Sequence, residues 1–596
     1  MSNDSASKKT ANVVWPGRKL ALRRLLLIAA VLFPCTYLAD ALLVKNWDIL
    51  ENRDAESFRH LREAGTAFVA GVAVVFLLSL LPQSQRVLRW RPNPRAMRRG
   101  LIAIAWLVTV IALFYGEEDW RGRHAWNKYG NALTAQGEQL DFRAFVPKTI
   151  PDAENFAAIP EIKSWFDRGH SNSWSADKFA LASTSVSDEA GELPRHITDL
   201  VAWQMAFNAT RTGRTDHHPT NNFRSGKLDL DSRAQAAPAV LEDLEPLESM
   251  LEQFRAASSR PESRYPVVYD LNNPWGILLP HLANIKAVCL RLDLRACAEL
   301  AAGQSDRALE DVKLELRMGD SLNQEPFLIS YLVRLAVFHI EVHSVWEGLA
   351  EHRWSDAQLK ELQQSLARYD FIADMKPPFD GERAAGILTA DLLADGRYTF
   401  NLLTDDRGSG ASAADAFGRI MPRGWFDLEK LNYCRLFNLQ LDGSFDAQKK
   451  RVFPSRLASN AKALDQAFAG RNPVTTILIR HQLLAAVMLP ALGKVSQKGA
   501  FGQVAADETV LACALERHRL ARGQYPDSLD ALSPEFISAP PQDVISGEPY
   551  KYHRTGNSFT LYSIGWNEED DGGHVALKGK SHDLTEGDWV WEYPEK

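Results

Sequence analysis

Three apolar segments constrain this chain most strongly, because each has the composition of a helix that crosses a lipid bilayer. They occupy residues 25–44, 64–82 and 101–115, and Trp120 follows the third at an interfacial position. A helix needs about 20 residues to cross roughly 30 Å of hydrocarbon, and it satisfies its own backbone hydrogen bonds. The sequence therefore predicts a cytoplasmic tail at 1–24 and three transmembrane helices within 25–116.

The basic residues predict how these helices are oriented. Six lysines and arginines lie within residues 8–24, and six arginines lie within 86–99, where there is no acidic residue. Basic flanks stay on the cytoplasmic side. An odd number of spans then places everything after about residue 117 outside, which predicts a bacterial inner membrane protein with an extracytoplasmic region. Alternatively, the small-x-small sequence at 39–41 marks a cleaved signal peptide, and the large region is again outside.

Charge and cysteine content exclude two classes of protein. The chain has 596 residues and a net charge of -7, with 68 basic and 75 acidic side chains, so no basic field favours nucleic acid as a partner. Five cysteines are widely spaced. Cys289 and Cys297 fall on one predicted helix about 12 Å apart, too far for a disulfide. A disulfide framework is not expected.

Residues 117–237 read as a transition and linker region, with a polar, turn-rich stretch at 208–237. Residues 238–500 then predict an α-helical domain of helix–turn–helix pairs, in which Ser355 and Gln358 form a capping box. The sequence at 298–309 is similar to the turn of tetratricopeptide-type helical repeats, which implies stacked helical hairpins. A fourth apolar run at 475–492 contains an arginine and a histidine, so a buried or amphipathic helix is favoured over a span.

The last segment, 501–596, predicts a small α+β module. It contains a Tyr-Pro turn at 525–526, two β runs joined by Thr-Gly-Asn at 555–557, and Leu-Tyr-Ser-x-Gly at 561–565 before an acidic, glycine-containing loop. We call residues 567–573 the acidic loop. Over roughly the last eighty residues, this order of elements resembles the C-terminal domain of the type II secretion major pseudopilin.

That resemblance implies a calcium site in the acidic loop, because the loop of that family binds calcium through hard oxygen ligands. The residues carried over as ligands are Asn567, Asp570, Asp571 and Asp583. An EF-hand is excluded, since the twelfth position from Asn567 is Lys578 rather than glutamate. The alternative is a solvated acidic turn without a metal.

One helix carries a second metal candidate. His339, His343 and Glu347 follow one another at intervals of four residues, so they share a helix face on which two imidazoles could bind zinc. Histidines on an amphipathic helix are also commonly solvated or hydrogen-bonded, and that alternative stays open.

The sequence contains no GxSxG or HExxH motif. The leading interpretation is a membrane-anchored envelope protein, a non-enzymatic binding or scaffold protein whose partners are envelope or secretion proteins. Its layout is similar to that of bacterial membrane proteins without an assigned activity. The alternative is an extracytoplasmic hydrolase acting through carboxylates such as Asp391, Asp395 or Glu341, which requires two acids facing each other across a cleft.

Overall fold

The structure is a computed structural model that describes residues 94–167, 195–211, 230–399, 418–469, 480–579 and 581–591. The chain divides into two units, Met1–Glu117 and Glu118–Lys596. The mainly helical fold is confirmed, and a few small sheets accompany it. The predicted spans at 25–44 and 64–82 lie outside the described residues.

The described residues form fourteen α-helices. In chain order they are α1 Pro94–Ala135, α2 Pro160–Ser164, α3 Leu200–Arg211, α4 Leu230–Leu244, α5 Glu248–Ser258, α6 Pro280–Ala301, α7 Ser305–Asp320, α8 Leu328–Ala350, α9 Asp356–Leu366, α10 Lys376–Ala394, α11 Arg423–Leu441, α12 Pro454–Phe468, α13 Leu483–Met488 and α14 Leu492–Arg522.

Within the described part of the chain, two helices are long and apolar enough to cross a membrane. One is the segment Met97–Ala135 of α1, which contains the predicted third span and whose most apolar stretch, of mean hydropathy 1.9, is wholly unburied. The other is α8, but 72% of its most apolar stretch is buried inside the protein. Buried apolar residues on every face identify α8 as a core helix.

From Glu118 onward, α1 packs against the start of α11. The approach is so close that a Cβ added to Gly122 would lie 1.9 Å from the carbonyl oxygen of Gly424. Two hydrogen bonds fix the contact: the Gly424 N–H donates to Asp119 Oδ1 and the Trp425 indole donates to Glu118 Oε2, both over 2.8 Å. The second half of α1 is therefore part of the folded helical domain.

Helix α8 contacts α6, α7 and α14. Its Val337 and Ile340 join a hydrophobic cluster that includes Val288 of α6, whereas Phe338 and Val342 join a larger cluster with α9 and α14. Because α8 contributes to both clusters, it connects the two halves of the core. Helix α6 is almost completely buried from Val288 to Ala301.

Local sequence signals have mixed outcomes. The capping box of Ser355 and Gln358 is confirmed at the start of α9. Helix α7 begins at Ser305, and Gln304 precedes it without a side-chain cap bond. The turn-rich stretch at 208–237 contains the end of α3 and the start of α4. In the fourth apolar run, α13 ends at Met488 and α14 begins at Leu492.

The C-terminal segment contains the predicted hairpin. Strands β3 (Lys551–Thr555) and β4 (Ser558–Ser563) pair antiparallel, and Gly556 in their turn has a φ of 60° that favours glycine. The remaining strands are β1 Phe445–Asp446, β2 Arg451–Val452, β5 Val575–Lys578, β6 Ser581–Gly587 and β7 Trp589–Val590, of which β7 adds to β4 and the others form two-stranded pairs. Leu561 and Trp589 lie in the same core cluster as α14, so the module is continuous with the helical domain.

Candidate functional site

Helices α6, α7 and α8 carry ionisable side chains at fully buried positions, which is the most unusual feature of the fold. Lysine, arginine, aspartate and glutamate are almost never fully buried unless they are paired. The buried ionisable residues of these helices are His281, Arg291, Asp293, Arg295, Glu299, Asp311, Glu315, Arg334, Glu341, His343 and Glu347. The chemistry of the domain is therefore to be sought among their contacts.

Three donors from α6 and α8 meet at the centre of this region. Asp293 and Cys297 lie one turn apart on α6, and His343 reaches them from α8. The His343 Nδ1 atom is 3.0 Å from Asp293 Oδ1 and 3.9 Å from Cys297 Sγ, and that sulfur is 4.0 Å from the same carboxylate oxygen. Asp293 and Cys297 are fully buried and His343 is 6% exposed. We call these residues the α6–α8 trio.

The other nitrogen of His343 has a fixed role. Its Nε2 atom lies 3.0 Å from the backbone carbonyl oxygen of His196, an acceptor only, so Nε2 carries the proton. With the proton on Nε2, the Nδ1 atom and the Asp293 carboxylate are both acceptors. A proton or a metal ion must therefore lie between them. Burial by itself lowers the pKa of His343, but the charge and hydrogen bond of Asp293 outweigh it and raise that pKa. Both ring nitrogens of His343 thus face acceptor oxygens, which favours the protonated ring when no metal is bound.

A buried arginine braces the trio from a third helix. Arg233 of α4 forms ion pairs with Glu347 of α8 and with Glu351, which directly follows that helix, and both carboxylates are buried. Its Nε donates to the carbonyl oxygen of Thr198 over 2.9 Å, and Nη2 donates to that of Cys297 over 3.1 Å. One guanidinium thus ties α4, α6, α8 and the segment before α3 together.

Two further carboxyl groups near the trio have no hydrogen-bond partner within the described part of the chain, namely those of Glu315 on α7 and Glu341 on α8. Burial raises the pKa of each, and the charges of Asp293 and Glu341 raise that of Glu315 further. Gly319 leaves room for one of them, since a Cβ there would lie 2.5 Å from Glu341 Oε1. Burial thus favours the protonated form of both carboxyl groups.

The structure separates the three residues of the predicted zinc face. His343 and Glu347 approach to 4.0 Å, but through Nε2, and Glu347 is already paired with Arg233. The ring of His339 instead lies 5.0 Å from that of Phe501, and burial lowers the pKa of His339 to about 3. Helical spacing predicted His339 and Glu347 as the partners of His343, but in the structure its Nδ1 atom faces Asp293 and Cys297 instead.

Sequence reasoning missed Asp293 and Cys297. Their signal was available: a carboxylate and a thiol four residues apart on one helix face are a donor pair for the same kind of metal. The sequence does not show which of the two nitrogens of His343 faces them, because that depends on how α8 packs against α6.

The carboxylates considered for a hydrolase each have separate surroundings. Asp391 pairs with Lys430 over 2.7 Å, Asp395 pairs with Arg423, and Glu341 is buried against α7. These three side chains do not form an acid pair across a cleft.

The acidic loop is held by its own contacts. Asn567 donates its amide to Asp571 Oδ2 over 2.8 Å, whereas Asp570 pairs with Lys551 over 3.1 Å. Asp583 lies on β6 and accepts hydrogen bonds from the N–H and hydroxyl of Thr585. The structure thus brings Asn567 and Asp571 together, and the calcium site stays a prediction.

Asp588 contacts the acidic loop, although the sequence analysis did not identify it as part of this site. Its carboxylate accepts the N–H of Asp571 over 3.3 Å and that of Gly573 over 2.6 Å. Burial raises the pKa of Asp588, and these two backbone bonds oppose the shift. A carboxylate that binds two loop N–H groups fixes the loop conformation without a metal.

Comparison with protein-family models, with curated proteins and with solved structures found no match for this chain. The arguments for its function therefore rest on its own residues and contacts.

Proposed function

We propose that this protein is anchored in a membrane by its N-terminal region and that its residues from Glu118 onward form a helical binding domain on the extracytoplasmic side. The observation that supports the anchor is the apolar surface of α1. Leu107 and Leu113 are 60% and 68% exposed, and their apolar neighbours in residues 101–115 are exposed to a similar degree. A continuous apolar helix surface of this kind is stable in lipid and costly in water.

The proposed orientation follows from charge. Arginines precede the apolar part of α1 at positions 95, 98 and 99, whereas acidic residues follow it at 117–119. Because basic residues are retained in the cytoplasm, the start of α1 belongs inside and its end outside. The domain from Glu118 onward then lies outside the cytoplasm.

A binding role is favoured over hydrolysis. Asp391, Asp395 and Glu341 do not converge, whereas the surface carries exposed apolar side chains that a partner would cover. Val268 and Leu278, both between α5 and α6, are 71% and 68% exposed. We propose this segment as the contact for an envelope or secretion protein.

Cysteine labelling tests the orientation. Asn557→Cys places a thiol in the exposed turn of the β3–β4 hairpin, and Ser84→Cys places one in the arginine-rich stretch before α1. Of the five native cysteines, those at 289, 297, 434 and 513 are buried and serve as the unlabelled background, and Cys35 is replaced by serine in both variants. We expect a membrane-impermeant maleimide to label Asn557→Cys in intact spheroplasts and Ser84→Cys only after lysis. The reverse pattern would show that the domain is cytoplasmic.

Site-specific photo-crosslinking tests the binding role. A photoreactive residue at Val268 or Leu278 should capture the same envelope protein in living cells. Glu310, which is exposed on α7 with 62% of its side chain accessible, is the matched position that should not. Absence of a product at both apolar positions, or an identical product at Glu310, would contradict the proposed contact.

A further inference from the structure

The geometry of the α6–α8 trio points to a metal site. We propose that Asp293, Cys297 and His343 bind a divalent transition-metal ion of the zinc class through Oδ1, Sγ and Nδ1. This inference does not depend on the membrane topology proposed above, because all three residues lie within the described helical domain.

The distances between the donor atoms match those a metal requires. The three atoms are 3.0, 3.9 and 4.0 Å from one another. The circle through them has a radius of about 2.1 Å, and zinc bonds to oxygen, nitrogen and sulfur are about 2.0–2.3 Å long. An ion at or just beside the plane of the three atoms would therefore contact all of them without a backbone movement.

Charge balance distinguishes this cluster from an ordinary buried ion pair. With Nε2–H bound to the His196 carbonyl, a cation must lie between Nδ1 and Asp293. A carboxylate and a thiolate carry two negative charges, and a neutral imidazole carries none. A divalent ion bound by these three donors is therefore balanced in charge, as a buried site requires.

The surroundings of the trio suit a metal centre. Metal-binding histidines usually donate their second N–H to a carbonyl or carboxylate, which fixes the tautomer and the ring orientation, and His343 does so to His196. Arg233 holds the carbonyl of Cys297 and so fixes the turn of α6 that presents the thiol. One thiolate, one imidazole and one carboxylate form a mixed donor set typical of zinc. His343 is the residue of the trio that contacts solvent, since 8% of its side chain is exposed.

Cobalt substitution of the full-length protein in detergent provides the test. Titration of metal-free protein with Co²⁺ should give one bound ion per chain and a thiolate-to-cobalt charge-transfer absorption. Cys297→Ser should abolish the charge-transfer absorption. Cys289→Ser, also fully buried on α6 but outside the trio, should retain it.

Other outcomes would overturn the proposal. If Co²⁺ gives no charge-transfer absorption, or if the absorption persists in Cys297→Ser, the trio does not bind the metal and a proton alone joins His343 to Asp293. His343→Gln, compared with wild type by circular dichroism, keeps the test valid if the serine variant unfolds. A folded His343→Gln protein that still binds one Co²⁺ with unchanged absorption would likewise refute the site. None of these results depends on which side of the membrane the domain occupies.

Discussion

Removing the guanidinium of Arg233 should destabilise the helical domain more than removing any exposed arginine. Arg233→Met keeps the length and apolar part of the side chain while deleting the partner of Glu347, whose side chain is completely buried. Glu351 keeps a second arginine, since Arg353 Nε lies 3.1 Å from its Oε2. The substitution therefore isolates one buried carboxylate, that of Glu347.

The expected magnitude follows from that isolation. Breaking a buried ion pair by removing one partner typically costs about 3–5 kcal/mol, because the remaining charge is neither paired nor solvated. The N–H of Thr198 still donates to Glu347 Oε2 over 2.9 Å and offsets part of the loss. The carbonyl groups of Thr198 and Cys297 also lose a donor, at about 1 kcal/mol each. We expect Arg233→Met to lower the free energy of unfolding by about 4 kcal/mol.

The assay is urea unfolding in detergent, followed by the fluorescence of the buried indoles. Arg522→Met is the matched control, because Arg522 and Glu535 form a pair in which both side chains are more than half exposed and which contributes at most about 1 kcal/mol. Adding Glu347→Gln to Arg233→Met should recover part of the loss. If Arg233→Met is no less stable than Arg522→Met, the Arg233 pair does not stabilise the domain as argued.

Three further predictions concern other parts of the domain. Gly386→Ala places a Cβ 2.3 Å from the ring of buried Tyr433 and should cost about 2 kcal/mol in urea unfolding. Gly493→Ala has open space and should be neutral or gain up to about 1 kcal/mol. Burial raises the pKa of Glu429 to about 7, so wild-type stability should fall between about pH 4.5 and 7. Glu429→Gln should remove that fall, which lowers the free energy of unfolding of the wild type by about 3 kcal/mol by pH 8. Equal free energies of unfolding for wild type and Glu429→Gln at pH 8 would disprove this prediction. Calcium should raise the melting temperature of the full chain through the acidic loop; an unchanged value with calcium and with chelator would leave it a solvated turn.

Elements with a strong local pattern were predictable from the sequence. The helical pattern predicted for residues 238–500 is confirmed by α6 at Pro280–Ala301 and by α8 at Leu328–Ala350. Both carry apolar residues at helical spacing over several turns, which is the most reliable sequence signal. The hairpin at 551–563 was equally clear, because two β runs flank a glycine-containing turn.

The extent of α1 could not be predicted in the same way. Its residues after Glu117 are polar, and the sequence suggested a transition region there. The helix continues to Ala135 because Gly122 lies against Gly424 and Trp126 lies under the Lys430 ammonium. These contacts join positions about three hundred residues apart, and no local pattern encodes them.

The same limit explains why the buried charges were not predicted. A charged residue on a helix is assigned to the solvent face, yet Asp293, Arg295 and Glu299 are buried although all three lie on α6. Arg295 is neutralised by Asp311 of α7, at 2.7 Å between Nη2 and Oδ1, and Asp293 by His343 of α8. Each pairing depends on the packing of two helices, so a single sequence does not show that the partner exists.

Stability alone does not account for this polar core. Well-packed apolar residues of similar volume usually stabilise a fold as well as buried ion pairs do, and often better. Glu315 and Glu341 add to the cost, since their buried carboxyl groups lack hydrogen-bond partners among the described residues. A core that keeps donors such as Asp293, Cys297 and His343 within bonding distance of one point is better explained by a ligand than by folding. The cobalt titration of the α6–α8 trio therefore also tests why α6, α7 and α8 carry buried charged side chains.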